Sequence, residues 1–183
     1  MEDGKVILEG DKLNITLRRL CEQLIENYTN FSDACIIGLQ PRGVELSDRI
    51  VDYLRNNTGN QDIEYGKLDI TFYRDDFRIR EKPLSASPTE IEFLVEGKRV
   101  LLVDDVLYTG RSVQAALTAL QHYGRPESVE LLALVDRRFN RHLPIKANYT
   151  GITVDSLDET YVKVNWGSGR EEDRIYLFPN KND

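Results

Sequence analysis

The stretch Arg99–Ser112, RVLLVDDVLYTGRS, constrains the fold more than any other part of the chain. Val100, Leu101, Leu102 and Val103 form an uninterrupted aliphatic run. Such a run fits a strand buried on both faces of a helix-covered parallel sheet, whereas a sheet with one wet face would show alternation. The run ends in two adjacent carboxylates, Asp104 and Asp105, which are costly there unless a cation or hydrogen-bond donors use them. A turn follows at once, and then a helical pattern from about Ser112, with Val113, Ala116, Leu117 and Leu120 at i, i+3, i+4 and i+7 and a stop in Gly124 and Pro126.

In open α/β sheets, ligands bind beyond the carboxyl ends of the strands, and LYTGRS lies there. A phosphate at that helix start would meet unpaired backbone N–H groups and the positive end of the helix dipole, the latter worth about 0.3–1 kcal/mol. Gly110 would let the backbone approach closely, and the Thr109 and Ser112 hydroxyls could donate further hydrogen bonds. An N-cap at Ser112 and an ordinary turn glycine explain the turn equally well by themselves. The acids tip the balance. Asp104 and Asp105 would repel a dianion unless its phosphate lies on the far side of the turn and the carboxylates face sugar hydroxyls and magnesium, which points to a phosphorylated sugar. A Walker A loop ending at Ser112 would need Gly at 105 and Lys at 111, where Asp105 and Arg111 stand. GSG at Gly167–Gly169 lacks the third glycine of a dinucleotide fingerprint and reads as a hairpin turn.

Elsewhere the chain alternates strand and helix. Val6–Leu8 reads as a short strand, Leu13, Leu17, Leu20 and Leu24 recur at helical spacing to about Tyr28, and Ala34–Leu39 is a strand ending in QPRG. Val44, Ile50, Val51 and Leu54 mark a second helix ending in NNTGN, and Ile63–Tyr73 reads as extended. Residues of about 74–89 form a polar loop rich in charge, serine and proline. Val129–Val135 is another buried strand, and short β-like runs, Tyr161–Trp166 and Arg174–Phe178, follow. This is the alternation of an α/β fold. At 183 residues one core is expected, so residues 1–183 are taken as a single domain.

A net charge of -7 argues against generic attraction to nucleic acid, so any such function needs a local basic patch. Cys21 and Cys35, each in an apolar segment, read as buried thiols of a reducing compartment. No apolar run reaches signal-peptide or membrane-span length, and a cytoplasmic location is expected.

VLLVDDVLYTGRS resembles the phosphoribosyl pyrophosphate (PRPP) motif of type I phosphoribosyltransferases. Together with LDITFYRDD (Leu68–Asp76), YGRPESVELLALVDR (Tyr123–Arg137) and LPIKANYTG (Leu143–Gly151), it is similar to PyrR, the pyr operon attenuator and uracil phosphoribosyltransferase family, over about residues 5–165. The resemblance implies a mainly parallel central sheet flanked by helices, a flexible flap loop at about 74–89 and a small hood at about 151–180. The implied reaction joins uracil to PRPP, giving UMP and pyrophosphate, with Mg2+ as cofactor. By resemblance, Val106, Leu107, Tyr108, Thr109, Gly110, Arg111 and Ser112 cradle the 5'-phosphate. Asp104 and Asp105 hold the ribose hydroxyls, directly or through magnesium, and both can reach one ligand only if the strand has turned by Asp105.

Gln40, Pro41, Arg42 and Gly43 resemble the pyrophosphate loop, where Arg42 offers a planar fork to phosphate oxygens; a proline and glycine opening a helix is the bland alternative. The acids and Arg42 are the expected catalytic set. Tyr73, Arg74, Arg78, Arg80 and Lys82 belong to the flap, which would close over substrate. Val135, Asp136 and Arg137 are the base-binding segment. Tyr108 stands before Thr109, where purine transferases commonly carry an acid, which favours a pyrimidine.

The family also binds the leader of pyr messenger RNA in a UMP-dependent manner. Between Asp136 and Asn148, four cations (Arg137, Arg138, Arg141 and Lys146) face one acid, and Phe139 could stack on a base. With Arg18 and Arg19 of the first helix, Arg138, Arg141 and Lys146 are the candidate RNA contacts, although Glu22 in such a footprint would repel phosphate. A homo-oligomer, a dimer or larger, is implied. Two alternatives stand beside the bifunctional reading: an RNA-binding attenuator with vestigial catalysis, and a transferase for a purine base. His122 and His142 have no third ligand at metal spacing and read as surface or helix-end residues.

Overall fold

Residues 4–74, 87–156 and 160–179 are described in a computed structural model. They form eight strands and three α-helices: β1 (Lys5–Glu9), α1 (Gly10–Tyr28), β2 (Ala34–Leu39), α2 (Arg42–Thr58), β3 (Glu64–Leu68), β4 (Arg99–Leu107), α3 (Arg111–Leu120), β5 (Ser128–Arg138), β6 (Tyr149–Asp155), β7 (Tyr161–Asn165) and β8 (Arg174–Phe178). β4 is the centre of a five-stranded sheet of order β3-β2-β4-β5-β6, with every neighbouring pair parallel.

The aliphatic run of β4 is explained by burial on both sides. Leu101 and Val103 pack with Ile36, Leu132 and Leu134 beneath α1 and α2, where Leu20, Leu24, Leu46, Ile50 and Leu54 close that face. Val100 and Leu102 pack with Cys35, Ile37, Leu131 and Ala133 beneath α3, through Val113, Ala116, Ala119 and Leu120. Each fully buried aliphatic side chain contributes roughly 1.5–3 kcal/mol relative to exposure, so a strand of this composition is stable only with both covers in place. Cys21 and Cys35 are buried in these cores and form no disulfide. Burial, helped by the charge of Glu64, pushes the Cys35 thiol up to about 12, which keeps it protonated.

A second, antiparallel sheet has the order β1-β8-β7 and so joins the first strand to the last two. The segment expected as a hood divides: residues up to Asp155 complete β6 at the edge of the parallel sheet, and Tyr161–Phe178 belongs to the small sheet. Asp173, fully buried before β8, accepts hydrogen bonds from Arg49 Nη2 of α2 (3.2 Å) and from the Gly167 N–H (2.9 Å). The Arg49 guanidinium also lies 4.2 Å from the Trp166 ring centroid. These contacts fix the small sheet against α2. The extended segment expected over Ile63–Tyr73 ends earlier, because β3 stops at Leu68 and Thr71–Tyr73 is a 3-10 turn. Among the described residues no helix is long and apolar enough to cross a membrane.

Gly43 sets the distance between α2 and the end of β4. A Cβ there would lie 2.4 Å from the Val103 carbonyl oxygen and 3.1 Å from the Asp104 Cα, so only glycine allows this approach. Gly43→Ala is expected to push α2 off the strand end and cost about 1–3 kcal/mol. The check is the denaturant midpoint of the variant, which should fall with little change in slope.

Candidate functional site

Both β4 and β5 lose strict alternation at one level. Val103 and Val106 pack toward the same layer, as do Leu134 and Val135, so the strands have turned where the acids begin. Asp105 is 5% exposed and Asp104 only partly so, and the Asp105 N–H donates to Asp104 Oδ1 at 2.9 Å. Both carboxyls are held above the ordinary value of 3.8. For Asp104 the causes are withdrawal from water and then the charge of Asp105, opposed by the Asp105 N–H and by Arg42. For Asp105 the cause is withdrawal from water, opposed first by Arg42. Arg42, in the first turn of α2, is thus the cation that bears on both acids. Its guanidinium lies 5.6 Å from the Tyr161 ring centroid of β7. Arg42, Glu45, Asp105, Lys163, Val164 and Trp166 line one cleft.

The turn after β4 opens the N-terminus of α3. Gly110, at φ +90, occupies the cap position and the helix begins at Arg111, so Ser112 lies inside the first turn and is not the cap. A Cβ on Gly110 would be strained by that backbone and would meet Ile145 at 3.2 Å. The turn is braced by the segment beyond β5: the His142 N–H donates to the Thr109 carbonyl at 3.0 Å, and Arg141 donates to the Tyr108 carbonyl while pairing with Asp136. The Arg137 guanidinium stacks 3.8 Å from the Tyr108 ring centroid and donates to Ser156 Oγ (2.9 Å) and to the Thr160 carbonyl (2.8 Å). Residues expected to bind phosphate and those expected to bind the base are therefore one packed unit, since Leu107 pairs with Asp136 and Val106 with Val135.

At the other side, the Gln40–Pro41 peptide is cis. The Gln40 N–H donates to the Leu68 carbonyl (2.9 Å) and its side-chain amide to the Pro88 carbonyl (2.6 Å). Tyr73 and Arg74 are described; Arg78, Arg80 and Lys82 lie outside the described residues. Sequence reasoning missed Asp69. Its buried carboxylate accepts the N–H and hydroxyl of Thr71 at 2.9 and 2.6 Å and the Ser87 N–H at 2.9 Å, tying together residues on both sides of the loop. It missed Lys163 and Trp166 as well, because nothing in the sequence ties β7 to the end of β4.

The cationic patch read after Asp136 is only partly a surface feature. Arg137, 4% exposed, points inward, which corrects its place in that patch. Arg141 is held by Asp136 and Tyr108, and Arg19 donates to the carbonyls of Thr150 and Gly151 at 3.2 and 2.6 Å. Arg138 is exposed and 3.4 Å from Asp155, Lys146 and Arg18 are exposed, and Phe139 is 75% exposed. His142 accepts from Arg111 Nε at 3.4 Å, and His122 packs 5.7 Å from Tyr73.

A five-stranded parallel sheet with an acid pair, an arginine and a glycine-capped helix start at one end defines a type I phosphoribosyltransferase fold. The phosphoribosyl transferase domain family matches residues 4–171. Two hypoxanthine phosphoribosyltransferase structures share the fold: one from Trypanosoma cruzi, with a TM-score of 0.69 at 13% identity over 97% of each chain, and one from Staphylococcus aureus, with a TM-score of 0.67 at 18% identity over 97% of this chain and 92% of that one. In sequence the chain is 42% identical to the "Bifunctional protein PyrR" of Desulfosudis oleivorans, over 97% of each, and 38% identical to that of Elusimicrobium minutum, over 98% of this chain and 99% of the relative. The chain belongs to the PyrR family of phosphoribosyltransferases.

The acid pair makes the ligand-free protein pH-sensitive. A carboxyl raised in the folded state binds protons that the unfolded chain has released, so between the ordinary value and the raised one stability falls as pH rises. Asp104→Asn removes that loss while keeping an acceptor for the Asp105 N–H. Thermal midpoints measured without ligand should be higher for the variant than for wild type near neutral pH and converge as pH falls to about 4.

Proposed function

We propose that the protein transfers the phosphoribosyl group of PRPP to uracil, releasing UMP and pyrophosphate. The observation that carries this is the acid pair at the end of β4, with Arg42 bearing on both acids, Asp105 and Arg42 lining one cleft, and a glycine-capped helix start following in the chain. In the transfer the C1'–O bond to pyrophosphate breaks, the bond from C1' to the uracil nitrogen forms, and the nitrogen's proton leaves to the pyrophosphate or to water. Positive charge develops on the ribose and negative charge on the leaving group, so a site aids the reaction by facing each with its opposite.

Asp104 and Asp105 would grip the ribose hydroxyls and face the positive ring. Their ligand-free state already disfavours two charges, and hydroxyl donors would relieve this on binding. The turn Val106–Ser112 would take the 5'-phosphate in the first-turn amides of α3, with Thr109 and Ser112 as hydroxyl donors. Arg42 would meet the diphosphate from the loop Gln40–Gly43, and Asp69 would hold the neighbouring loop's stems. Val135, Asp136 and Arg137 form the segment proposed to meet the base, with Tyr108 locked against Arg137 in place of an acid.

Magnesium suits the acid pair, which offers hard carboxylate oxygens; among the described residues no group of three or more His, Cys, Asp or Glu side chains could hold a metal by itself, so substrate oxygens and water would complete the shell. When bound, it supplies positive charge to the departing pyrophosphate. Pyrophosphate release should require PRPP, uracil and magnesium, stop on EDTA treatment and return with added magnesium. Asp105→Asn should lower kcat/KM by on the order of 10²-fold or more. Activity confined to hypoxanthine or guanine would overturn the uracil assignment.

The relatives are named bifunctional, which supports a second activity. We infer that it is binding of the pyr leader RNA, through Arg18, Arg138 and Lys146, with the exposed Phe139 available to stack on an unpaired base. Binding to that leader should tighten with UMP and weaken steeply with salt. Arg138→Ala combined with Lys146→Ala should flatten the salt slope in a filter-binding titration; an unchanged slope removes this surface.

A further inference from the structure

Lys163 lies on β7, about sixty residues after the acid pair in the chain, yet it lines the same cleft as Asp105 and Arg42. Side chains two apart on a strand share a face, so Lys163 stands on the face of β7 that presents Tyr161, about 7 Å further along. The Tyr161 ring carries the Arg42 guanidinium. One strand face therefore steadies Arg42 and brings a second cation to the same cleft. Lys163 is exposed and makes no ion pair among the described residues. The other charged groups on the cleft wall are Asp105 of β4 and Arg42 and Glu45 of α2, and Lys163 is within ion-pair distance of neither acid. An unpaired ammonium on a residue that shares a cleft with a guanidinium, with the buried Asp105 on the wall, is a site for a polyanion.

We propose that Lys163 is an anion-binding residue of the transfer cleft that holds the diphosphate group of PRPP together with Arg42. The inference rests on the transferase reading and deepens it. The 5'-phosphate would occupy the helix start at α3, so the rim beside Arg42 is left for the diphosphate. The two cations have complementary chemistry: Arg42 offers a planar fork of fixed geometry, and Lys163 a compact charge on a flexible stem that can follow the pyrophosphate as it separates from the ribose. The charge is mounted on the small sheet, which the Arg49–Asp173 and Arg49–Trp166 contacts fix to α2. Neutralisation of the leaving group then does not depend only on cations of the loop after Tyr73.

Calorimetric titration with inorganic pyrophosphate and magnesium, on wild type, Lys163→Gln and Lys163→Arg, tests this. Lys163→Gln is expected to weaken pyrophosphate about tenfold and raise KM for PRPP with KM for uracil unchanged, while Lys163→Arg keeps most of the affinity. The thermal midpoint should not move in either variant, because the side chain is exposed and unpaired. Pyrophosphate affinity within twofold of wild type in Lys163→Gln, or a change confined to KM for uracil, overturns the assignment of Lys163. A wild-type protein that binds neither pyrophosphate nor PRPP overturns the transferase reading beneath it.

Discussion

Two carboxylates stand where a doubly buried strand runs out of partners, and the rest of the molecule is arranged around the cost of keeping them there. Asp104 and Asp105 are withdrawn from water by the same packing that makes β4 stable, and the charge of Asp105 opposes that of Asp104. Arg42 offsets part of that cost and reaches the acids because Gly43 lets α2 close on Val103 and Asp104 without a side chain between them. A pair of acids kept partly uncompensated in this way would suit the proposed ligand, rich in hydroxyls and accompanied by a cation. On that proposal, binding would relieve a penalty already present in the ligand-free protein.

The small antiparallel sheet has a role that its size does not suggest. Through Asp173 and Trp166 it is attached to Arg49, and through Tyr161 it supports Arg42. The chain's first strand and its last two thereby meet at the helix that opens the cleft. On the opposite flank, the segment after β5 plays a similar part: Arg137 and Arg141, cations in the sequence, are turned onto Tyr108, and the His142 N–H holds the Thr109 carbonyl. Charge that reads as surface in one dimension is used here to fix a backbone turn. What remains exposed for a nucleic acid is a smaller set than the count of basic residues implies.

Much of this was legible in the sequence because burial leaves a local signature. The aliphatic runs of β2, β4 and β5, the helical spacing of α1, α2 and α3, and the sequence acids-turn-glycine-helix each report on neighbours in the chain. They yielded the α/β class, the parallel sheet and the acid pair at its end. The capping of α3 by Gly110, and the early end of β3 at Leu68, escaped because hydrophobic periodicity does not record backbone dihedral angles. Asp69 does not stand out within LDITFYRDD, because its partner Ser87 lies eighteen residues away in the chain.

The sequence by itself determined the strand that ends in Asp104 and Asp105, the turn that follows it, and through the motifs around them the PyrR family. Tertiary structure alone decided what surrounds that strand end: Arg42 by the closeness that Gly43 permits, Lys163 and Trp166 by the return of β7 to the cleft that Asp105 lines, and Arg137 by burial against Tyr108. Periodicity encodes which residues leave water, because that depends on near neighbours along the chain. It does not encode which distant surfaces they are buried against, and the chemistry of a cleft is set by that second choice.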